Sequence, residues 1–248
     1  MNRELSRFIE YKNAVEKERP MLVVNNKLIT IDGIDGVGKS TIAQVVIQKL
    51  NEKFGADAAV LVNPSKFNES EGQKRLFGLI RGGSMSEDRI NKSVVASFNR
   101  AYGDIVVPAL AEGKIVVIDR SEVDLLRYSI ESGDETLVEE RKKYISEGTP
   151  THLLWAGNRI FIEANPEDVR DNLSLGGREL SDHDMASIHD VENREEAQKK
   201  AEETIASMPH EGEVNVIQVE NKRTNDPLEK ERYIAELADA IVDKLIII

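Results

Sequence analysis

The sequence predicts an α/β protein built on a mainly parallel sheet, and two observations carry this prediction. Five short runs of Val, Ile and Leu alternate with stretches of helical periodicity, the pattern of βαβ units with strands buried on both faces. A glycine-rich segment, residues 33–40, lies between the first run and the first helical stretch. Because ligands of such sheets bind beyond the carboxyl ends of the strands, we expect the functional site there.

The five predicted strands are short and dominated by apolar residues: Leu28–Ile31, Ala58–Val62, Ile115–Ile118, Ile160–Ile162 and Val214–Val219. Polar residues follow the first four of them: Asp32, Asn63, Asp119 and Glu163. Right-handed crossovers between parallel strands place the connecting helices on both faces of the sheet.

Several helix boundaries are marked by the sequence. An apolar residue at every fourth position predicts an amphipathic helix after the glycine-rich segment: Ile42, Val46, Leu50 and Phe54. Asn165-Pro166 predicts an N-cap followed by proline at the first helical position. Asp226 begins a capping box that opens the last helix. The charged run Glu192–Glu203 is predicted to be a solvated helix face.

Composition narrows the class of protein. The 248 residues are 40% hydrophobic and 31% charged, with a net charge of −12 that argues against nucleic acid as a partner. The absence of cysteine excludes disulfides and thiolate chemistry. No apolar run reaches the roughly 18 residues of a membrane span, and the first 20 residues are too polar for a signal peptide. We therefore expect a cytoplasmic protein with a helical arm at residues 1–20 and one domain at 21–248.

Residues 33–40 match the phosphate-loop pattern G-x-x-x-x-G-K-[ST]. Its glycines allow consecutive backbone N–H groups to point at phosphate oxygens, and the helix that follows adds its positive dipole end. Lys39 can then reach the β- and γ-phosphates of ATP, and the Ser40 hydroxyl can ligate Mg²⁺. The alternative is a glycine-rich turn with a chance lysine. The predicted nucleotide-binding residues are Gly33, Ile34, Asp35, Gly36, Val37, Gly38, Lys39, Ser40 and Thr41.

A second phosphate-handling element follows the third predicted strand. Asp119 lies where a carboxylate can hold Mg²⁺ through its water shell, close to a phosphate loop of the same sheet. Arg120 beside it offers a planar pair of donors to a phosphoryl group. The alternative is a surface Asp-Arg pair that ends a strand.

These motifs resemble the thymidylate kinase family, within the P-loop nucleoside-monophosphate kinase superfamily. The resemblance rests on four segments between residues 28 and about 245, namely 32–41, 97–120, 160–167 and 177–180. It implies a P-loop NTPase three-layer fold, with a five-stranded parallel sheet, helices on both faces and a mobile lid at about residues 170–185. It also implies a homodimer that transfers the γ-phosphoryl group of ATP to a nucleoside monophosphate, most plainly dTMP.

The family resemblance assigns roles to individual residues. On the donor side, Lys39 and the loop amides hold the ATP phosphates, while Ser40 and Asp119 hold Mg²⁺. On the acceptor side, Arg120 clamps the acceptor phosphate and Asp35 accepts a hydrogen bond from the 3′-hydroxyl.

Three further residues belong to the predicted acceptor site. Arg100 is expected to contact the base, and Lys66 stands where the family often has an arginine on the acceptor phosphate. Phe98 is the candidate aromatic contact. Ala96, however, occupies the family's stacking position, and two residues along a helix turn Phe98 roughly 200° away from it.

The predicted lid supplies charge that the loop lacks. Phosphoryl transfer needs positive charge near the equatorial oxygens, and this loop has Val37 and no arginine. Gly176-Gly177-Arg178 is a flexible pair followed by a guanidinium, which suits a closing loop with an arginine finger supplied in cis. The alternative is a surface loop with an ordinary arginine.

Because the sequence departs from the family pattern, the resemblance does not fix the identity of the acceptor. The departures lie at Ala96, at residues 121–129 and at 181–183, all on the acceptor side. One alternative is a P-loop kinase for another nucleotide or a small metabolite, with Asp124 and Arg127 as specificity residues. Another is a non-catalytic nucleotide-binding regulator, which would not need the transfer apparatus of Lys39, Ser40, Asp119 and Arg120.

Overall fold

The computed structural model describes residues 22–64, 87–147, 154–174, 190–222 and 226–247. The predicted N-terminal arm lies outside these ranges, as do Lys66, Arg178 and residues 175–185 of the predicted lid.

A parallel sheet of six strands forms the centre of the molecule. The strands are β1 (Leu22–Asp32), β2 (Ala59–Val62), β3 (Ile115–Asp119), β4 (Leu154–Glu163), β5 (His210–Glu211) and β6 (Asn215–Glu220). Their order is β2-β3-β1-β4-β6, and the two-residue β5 pairs with the beginning of β1. Every pair is parallel. The predicted α/β class and parallel sheet are confirmed, with β5 as an addition.

Helices cover both faces of this sheet. They are α1 (Lys39–Phe54), α2 (Glu87–Ala101), α3 (Val107–Ala111), α4 (Glu122–Glu131), α5 (Glu135–Glu147), α6 (Pro166–Ser174), α7 (Val191–Ala206) and α8 (Pro227–Lys244). A π-helical turn, Tyr102–Val106, joins α2 to α3. The two predicted caps are confirmed: Asn165 Oδ1 accepts from Glu167 N at 2.9 Å, and Asp226 Oδ1 accepts from Leu228 N at 2.8 Å. None of the helices in the described ranges has the length and apolarity to cross a membrane.

The core is divided by the sheet into layers. On one face, Ile29 and Ile31 of β1 pack with residues of α1 and α8, including Ile42 and Ile241. The opposite face holds two clusters, one around Leu28 with α2 and the π-helical turn, the other around Trp155 with α4, α5 and α7. Burial of these side chains on folding supplies the main stabilisation of such a domain.

Two strands are much longer than predicted because they contain polar residues. β1 begins at Leu22 rather than Leu28, and β4 begins at Leu154 rather than Ile160. Asn158, inside β4, is fully buried, and all of its hydrogen-bonding groups are used. Its Nδ2 donates to the carbonyls of Asn26 and Ile246 at 2.8 and 2.9 Å, and its Oδ1 accepts from Ile246 N and Asn215 Nδ2 at 3.0 and 2.9 Å.

Two predictions about helix faces need correction. Phe54, placed on the apolar face of α1, is 47% exposed because it is the last residue of that helix. The run Glu192–Glu203 is not a fully solvated face, since α7 buries four of its residues: Arg194, Ala197, Gln198 and Ala201. Its apolar stripe is made of small residues, which a hydropathy pattern scarcely registers.

We expect Asn158→Ala to lower the free energy of unfolding by about 3 kcal/mol, because it leaves buried backbone groups of Asn26 and Ile246 without partners. Urea unfolding followed by circular dichroism measures this. Gln44→Ala, at an exposed position of α1, is the control and should change stability by less than about 0.5 kcal/mol. A cost below about 1 kcal/mol for Asn158→Ala would contradict the role given to this side chain.

Candidate active site

The glycine-rich loop occupies the carboxyl end of β1 and begins α1, as the sequence predicts. Gly33 has a φ of 147°, and a Cβ there would lie 2.4 Å from the carbonyl oxygen of Ile162. Gly38 has a φ of 92°, and a Cβ there would lie 2.6 Å from Asn221 Nδ2. Only glycine fits both places, so the loop can approach β4 and the residue after β6 this closely.

Two asparagines from distant parts of the chain hold the loop, and the sequence analysis did not identify either. Asn172 of α6 donates from Nδ2 to the carbonyl of Gly36 at 3.0 Å. Asn221, directly after β6, donates from Nδ2 to the carbonyl of Val37 at 2.6 Å. With these carbonyls turned outward and bonded, the loop amides are left for a ligand.

The first turn of α1 is prepared for an anion. Gly38 stands at the N-cap without a side-chain cap, and the turn contains no acidic residue. The orphan N–H groups and the positive dipole end therefore receive no counter-charge from residues of the turn itself. Lys39 lies 5% exposed beneath the loop and donates to the carbonyls of Gly33 and Ile34 at 2.6 and 2.8 Å. Burial, followed by the neighbouring charge of Arg120, lowers the pKa of Lys39.

Ser40 and Asp119 meet as a metal-binding pair would. Ser40 Oγ donates to Asp119 Oδ2 at 2.6 Å, and Asn63 Nδ2 donates to the same oxygen at 2.7 Å. Asp119 is 2% exposed, and its Oδ1 has no hydrogen-bond partner within the described part of the chain. A buried carboxylate oxygen without a partner is costly, so this donor set fits Mg²⁺ or its water shell.

An ion pair connects the phosphate loop to the turn after β3. Arg120 Nη2 donates to Asp35 Oδ1 at 2.6 Å, and Arg120 Nη1 donates to Asp124 Oδ2 at 3.1 Å. Although burial alone would raise it, the pKa of Asp35 is held well below its usual range by Arg120 and then Lys39. Arg120 has a φ of 81°, a left-handed conformation that is strained for a side chain of this size.

Asp32 holds the strained turn in place. Fully buried at the end of β1, it accepts from Ser121 N at 2.8 Å and from Ser121 Oγ at 2.7 Å. Arg120 N also donates to the carbonyl of Ile31 at 3.1 Å. The end of β1 thus fixes the backbone on either side of the Arg120 side chain. Burial, with the charge of Asp124 next, raises the pKa of Asp32 to about 7.

Behind Arg120 lies a second layer of buried charge on α4. Arg127 is fully buried, donates to Asp124 Oδ1 at 3.4 Å and makes a short ion pair with Glu131. Tyr128 is 36% exposed, and its hydroxyl donates to Asp35 Oδ2 at 3.4 Å. The residues that depart from the family pattern are therefore built into the site.

A third arginine reaches the loop from α7. Arg194 is 7% exposed, and its Nη1 lies 3.8 Å from Asp35 Oδ2. The sequence analysis missed it because Arg194 stands in a run of charged residues. The only trace of its burial is the spacing of Val191, Arg194, Ala201 and Ile205 along one helix face.

An open cavity of about 320 Å³ lies over the loop and is lined by residues of α1, α6 and α8 and by the segments beside them. Its walls include Asp35, Lys39, Ser40, Arg120, Asn172 and Asn221. Lys39, Ser40 and Arg120 thus line one cavity, and Asp119 is held next to it by its hydrogen bond with Ser40.

The structure places the two predicted base contacts of α2, Phe98 and Arg100, in different environments. Phe98 is 2% exposed and packs in the core with Leu28, Val116 and Ile118. A ring that stacks on a base needs an open face, so we assign Phe98 to the core and withdraw it from the acceptor site. Arg100 is exposed in the last turn of α2, and its contact with a base stays a prediction, as do the roles of Lys66 and Arg178.

The fold around this loop is that of a P-loop α/β protein, the class that binds phosphate groups at the carboxyl end of its sheet. The sequence model of the family described as thymidylate kinase matches residues 31–156, just over half of the 248 residues. The chain therefore belongs to the thymidylate kinase family.

Individual relatives agree with this assignment. The chain is 31% identical over 106 residues to a thymidylate kinase of Xanthomonas oryzae pv. oryzae, which is 43% of this chain and 45% of that protein. It is 33% identical over 98 residues to a thymidylate kinase of Ligilactobacillus salivarius, 39% of this chain and 47% of that protein. The chain thus matches less than half the length of each relative.

One solved structure extends the likeness of fold beyond the aligned sequence. The crystal structure of a thymidylate kinase from Ehrlichia chaffeensis superposes with a TM-score of 0.57, covering 87% of this chain and 97% of that chain at 15% identity. At this identity the likeness concerns the fold alone.

We predict that Asp32→Asn flattens the pH dependence of stability. Because the pKa of Asp32 is about 7 in the folded protein and near 3.8 ordinarily, the folded state keeps a proton that the unfolded chain loses between these values. The free energy of unfolding therefore falls as pH rises through this window, by at most about 4 kcal/mol. Asparagine does not titrate and can make both bonds to Ser121.

Urea unfolding at pH 4.5, 6.0 and 7.5 measures the effect. The difference in stability between Asp32→Asn and the unmodified protein should shift steadily in favour of the variant as pH rises. Asp57→Asn, at an exposed turn, serves as the control. Parallel pH curves for Asp32→Asn and the unmodified protein would show that Asp32 is ionised throughout.

Proposed function

We propose that the protein transfers the γ-phosphoryl group of ATP to a nucleoside monophosphate, with dTMP as the acceptor and Mg²⁺ as the metal. The observation that carries the proposal is a pair of 2.6 Å contacts, Ser40 to Asp119 and Asp35 to Arg120. They join a phosphate loop to a carboxylate and a guanidinium, the parts that transfer requires and mere binding does not. Membership of the thymidylate kinase family supports dTMP; a homodimer and a cytoplasmic location rest on the resemblance to that family.

The donor phosphates would lie over the first turn of α1. Lys39 would exchange its two carbonyl contacts for phosphate oxygens, since both partners are neutral and a phosphate is a stronger acceptor for an ammonium. The open N–H groups of the loop and of α1 would bind the remaining oxygens. Asn172 and Asn221 keep those groups in position by bonding the loop carbonyls.

Ser40 and Asp119 would hold the metal. The described residues contain no cluster of three acidic or histidine side chains able to bind a metal ion. This fits an ion that takes most of its ligands from phosphates and water. When bound, Mg²⁺ supplies charge neutralisation for the phosphates.

For the transfer step, the protein mainly has to position the reacting groups and stabilise their negative charge. An oxygen of the acceptor phosphate forms a bond to the γ-phosphorus of ATP while the bond from that phosphorus to the β–γ bridging oxygen breaks, giving ADP and a nucleoside diphosphate. Arg120 bonds both Asp35 of the loop and Asp124 of α4, and it would bind oxygens of the transferring or accepting phosphate. Its strained backbone, fixed by Asp32 and Ser121, keeps the guanidinium in place before substrates arrive.

A second candidate function keeps the reaction and changes the acceptor. It is favoured by the exposed Ala96 where the family has its stacking aromatic and by the burial of Phe98. The buried Asp124–Arg127 pair beside Arg120 would then shape a pocket for a different nucleotide or a small metabolite.

ADP release from Mg-ATP against a panel of nucleoside monophosphates tests the proposal. We expect kcat/KM for dTMP to exceed that for every other monophosphate by at least about tenfold, a discrimination that pocket contacts commonly reach. A stronger response to another acceptor would support the second candidate. Tight ATP binding without turnover of any acceptor would contradict both and favour a nucleotide-binding regulator.

Lys39→Ala should reduce transfer by at least about 100-fold, because removing a preorganised charge from the transfer site has an effect of this size. Lys53→Ala is the matched control on the same helix, since Lys53 is exposed and pairs with Asp243 at 3.3 Å. Retained transfer in Lys39→Ala would place the reaction elsewhere in the molecule.

A further inference from the structure

Arg194 has a buried guanidinium nitrogen, Nη1, that lacks a hydrogen-bond partner among the described residues. The residue lies on α7, which packs along α4, and its side chain is 8% exposed. The 3.8 Å separation of Nη1 from Asp35 Oδ2 is an ion pair without a hydrogen bond.

Of the three cations around Asp35, Arg194 has the fewest hydrogen-bond and charge partners among the described residues. Asp35 faces three cations, with Arg120 at 2.6 Å, Arg194 at 3.8 Å and Lys39 at 3.9 Å. Arg120 has a second carboxylate in Asp124, and Lys39 donates to two carbonyls. One carboxylate therefore serves three cations, and Arg194 has no other charged partner within the part of the chain that the structure describes.

An incompletely paired guanidinium at this depth is expensive to bury, since a charge away from water must be paired and hydrogen-bonded to be tolerated. Its position beside Asp35 of the phosphate loop indicates an anion that arrives with the substrates. A guanidinium matches phosphate oxygens with two parallel N–H donors, which an ammonium cannot do.

We propose that Arg194 is a catalytic residue that binds the phosphoryl group during transfer. The proposal rests on the function proposed above and deepens it. The loop at residues 33–40 contains no arginine, and Arg194 supplies positive charge from α7, outside the predicted lid. Asp35 holds the guanidinium near the loop until the phosphates arrive.

The competing explanation is that Arg194 only positions Asp35. The two explanations differ in what happens when Asp35 loses its charge. If Arg194 binds the phosphoryl group, its removal is harmful with or without the Asp35 carboxylate. If it acts through Asp35, its removal has no further effect once that carboxylate is gone.

The test compares Arg194→Met with Arg232→Met in the whole 248-residue chain. Arg232 is a matched control because it is exposed on α8 and pairs only with the exposed Glu236 at 3.6 Å among the described residues. We expect Arg194→Met to lower kcat about 100-fold, with the dissociation constant of ATP, measured by calorimetry, changed less than threefold. Arg194→Lys should recover about tenfold, and Arg232→Met should match the unmodified protein. A kcat within threefold of the unmodified value in Arg194→Met would overturn the proposal.

A second measurement separates transfer from structure. ADP with aluminium fluoride, added with the best acceptor of the panel, imitates the phosphoryl group between donor and acceptor. Arg194→Met should weaken binding of this mixture at least 30-fold while ADP alone binds unchanged, and the same loss should persist in an Asp35→Asn background. Disappearance of the loss in that background, or an equal loss for ADP alone, would refute a contact with the phosphoryl group.

The proposed function and the proposed role of Arg194 can fail separately, and the measurements distinguish the two failures. If the unmodified protein turns over no acceptor, the proposed function fails and the role of Arg194 fails with it. If the unmodified protein is active and Arg194→Met is equally active, only the role of Arg194 fails. Should Arg194→Met not fold, as judged by thermal unfolding, Arg194→Gln retains polar atoms at the site and takes its place under the same criteria.

Discussion

The ion pair between Asp35 and Arg120 is the contact on which the site depends. It is possible because β1 and β3 are neighbours in a parallel sheet, with Ile31 in register with Asp119. The loop after one strand and the turn after the other therefore start from the same level. The pair closes the gap between them at 2.6 Å, and Asp32 and Ser121 fix the backbone beneath it.

More charged side chains are buried around this ion pair than the stability of the fold alone would favour. Arg127 is fully buried behind Asp124, and Arg194 is buried beside Asp35. Replacing buried ion pairs by apolar residues often leaves a protein as stable or more so. Charges retained at this depth therefore indicate a use, and the use that we propose for them is the binding of phosphate groups.

The site was predicted best from the sequence where the functional residues are adjacent in the chain. The phosphate loop and the Asp119-Arg120 pair are short local motifs, and the strands that present them are apolar enough to be recognised. The sequence was least informative where the fold brings distant polar residues together. Asn221 has no local pattern that distinguishes it from an ordinary surface asparagine.

Burial of polar residues explains the remaining differences. A hydropathy pattern begins the strand only at Ile160, after Asn158, although four side-chain hydrogen bonds lower the cost of burying Asn158. The same pattern assigns Arg194 to solvent, because the small alanines on its face of α7 carry little signal. The prediction for Phe98 is wrong in the opposite direction. This aromatic residue is predicted to contact the acceptor, but it packs in the core.

The most direct test of the account is a crystal structure of the protein with a non-hydrolysable Mg-ATP analogue and dTMP. The account predicts that Lys39 Nζ leaves the carbonyls of Gly33 and Ile34 for phosphate oxygens. Arg120 should bind a phosphate that lies between donor and acceptor. A nucleotide bound away from the loop, or Lys39 still bonded to both carbonyls beneath a bound nucleotide, would contradict the claim that loop and turn form one transfer site.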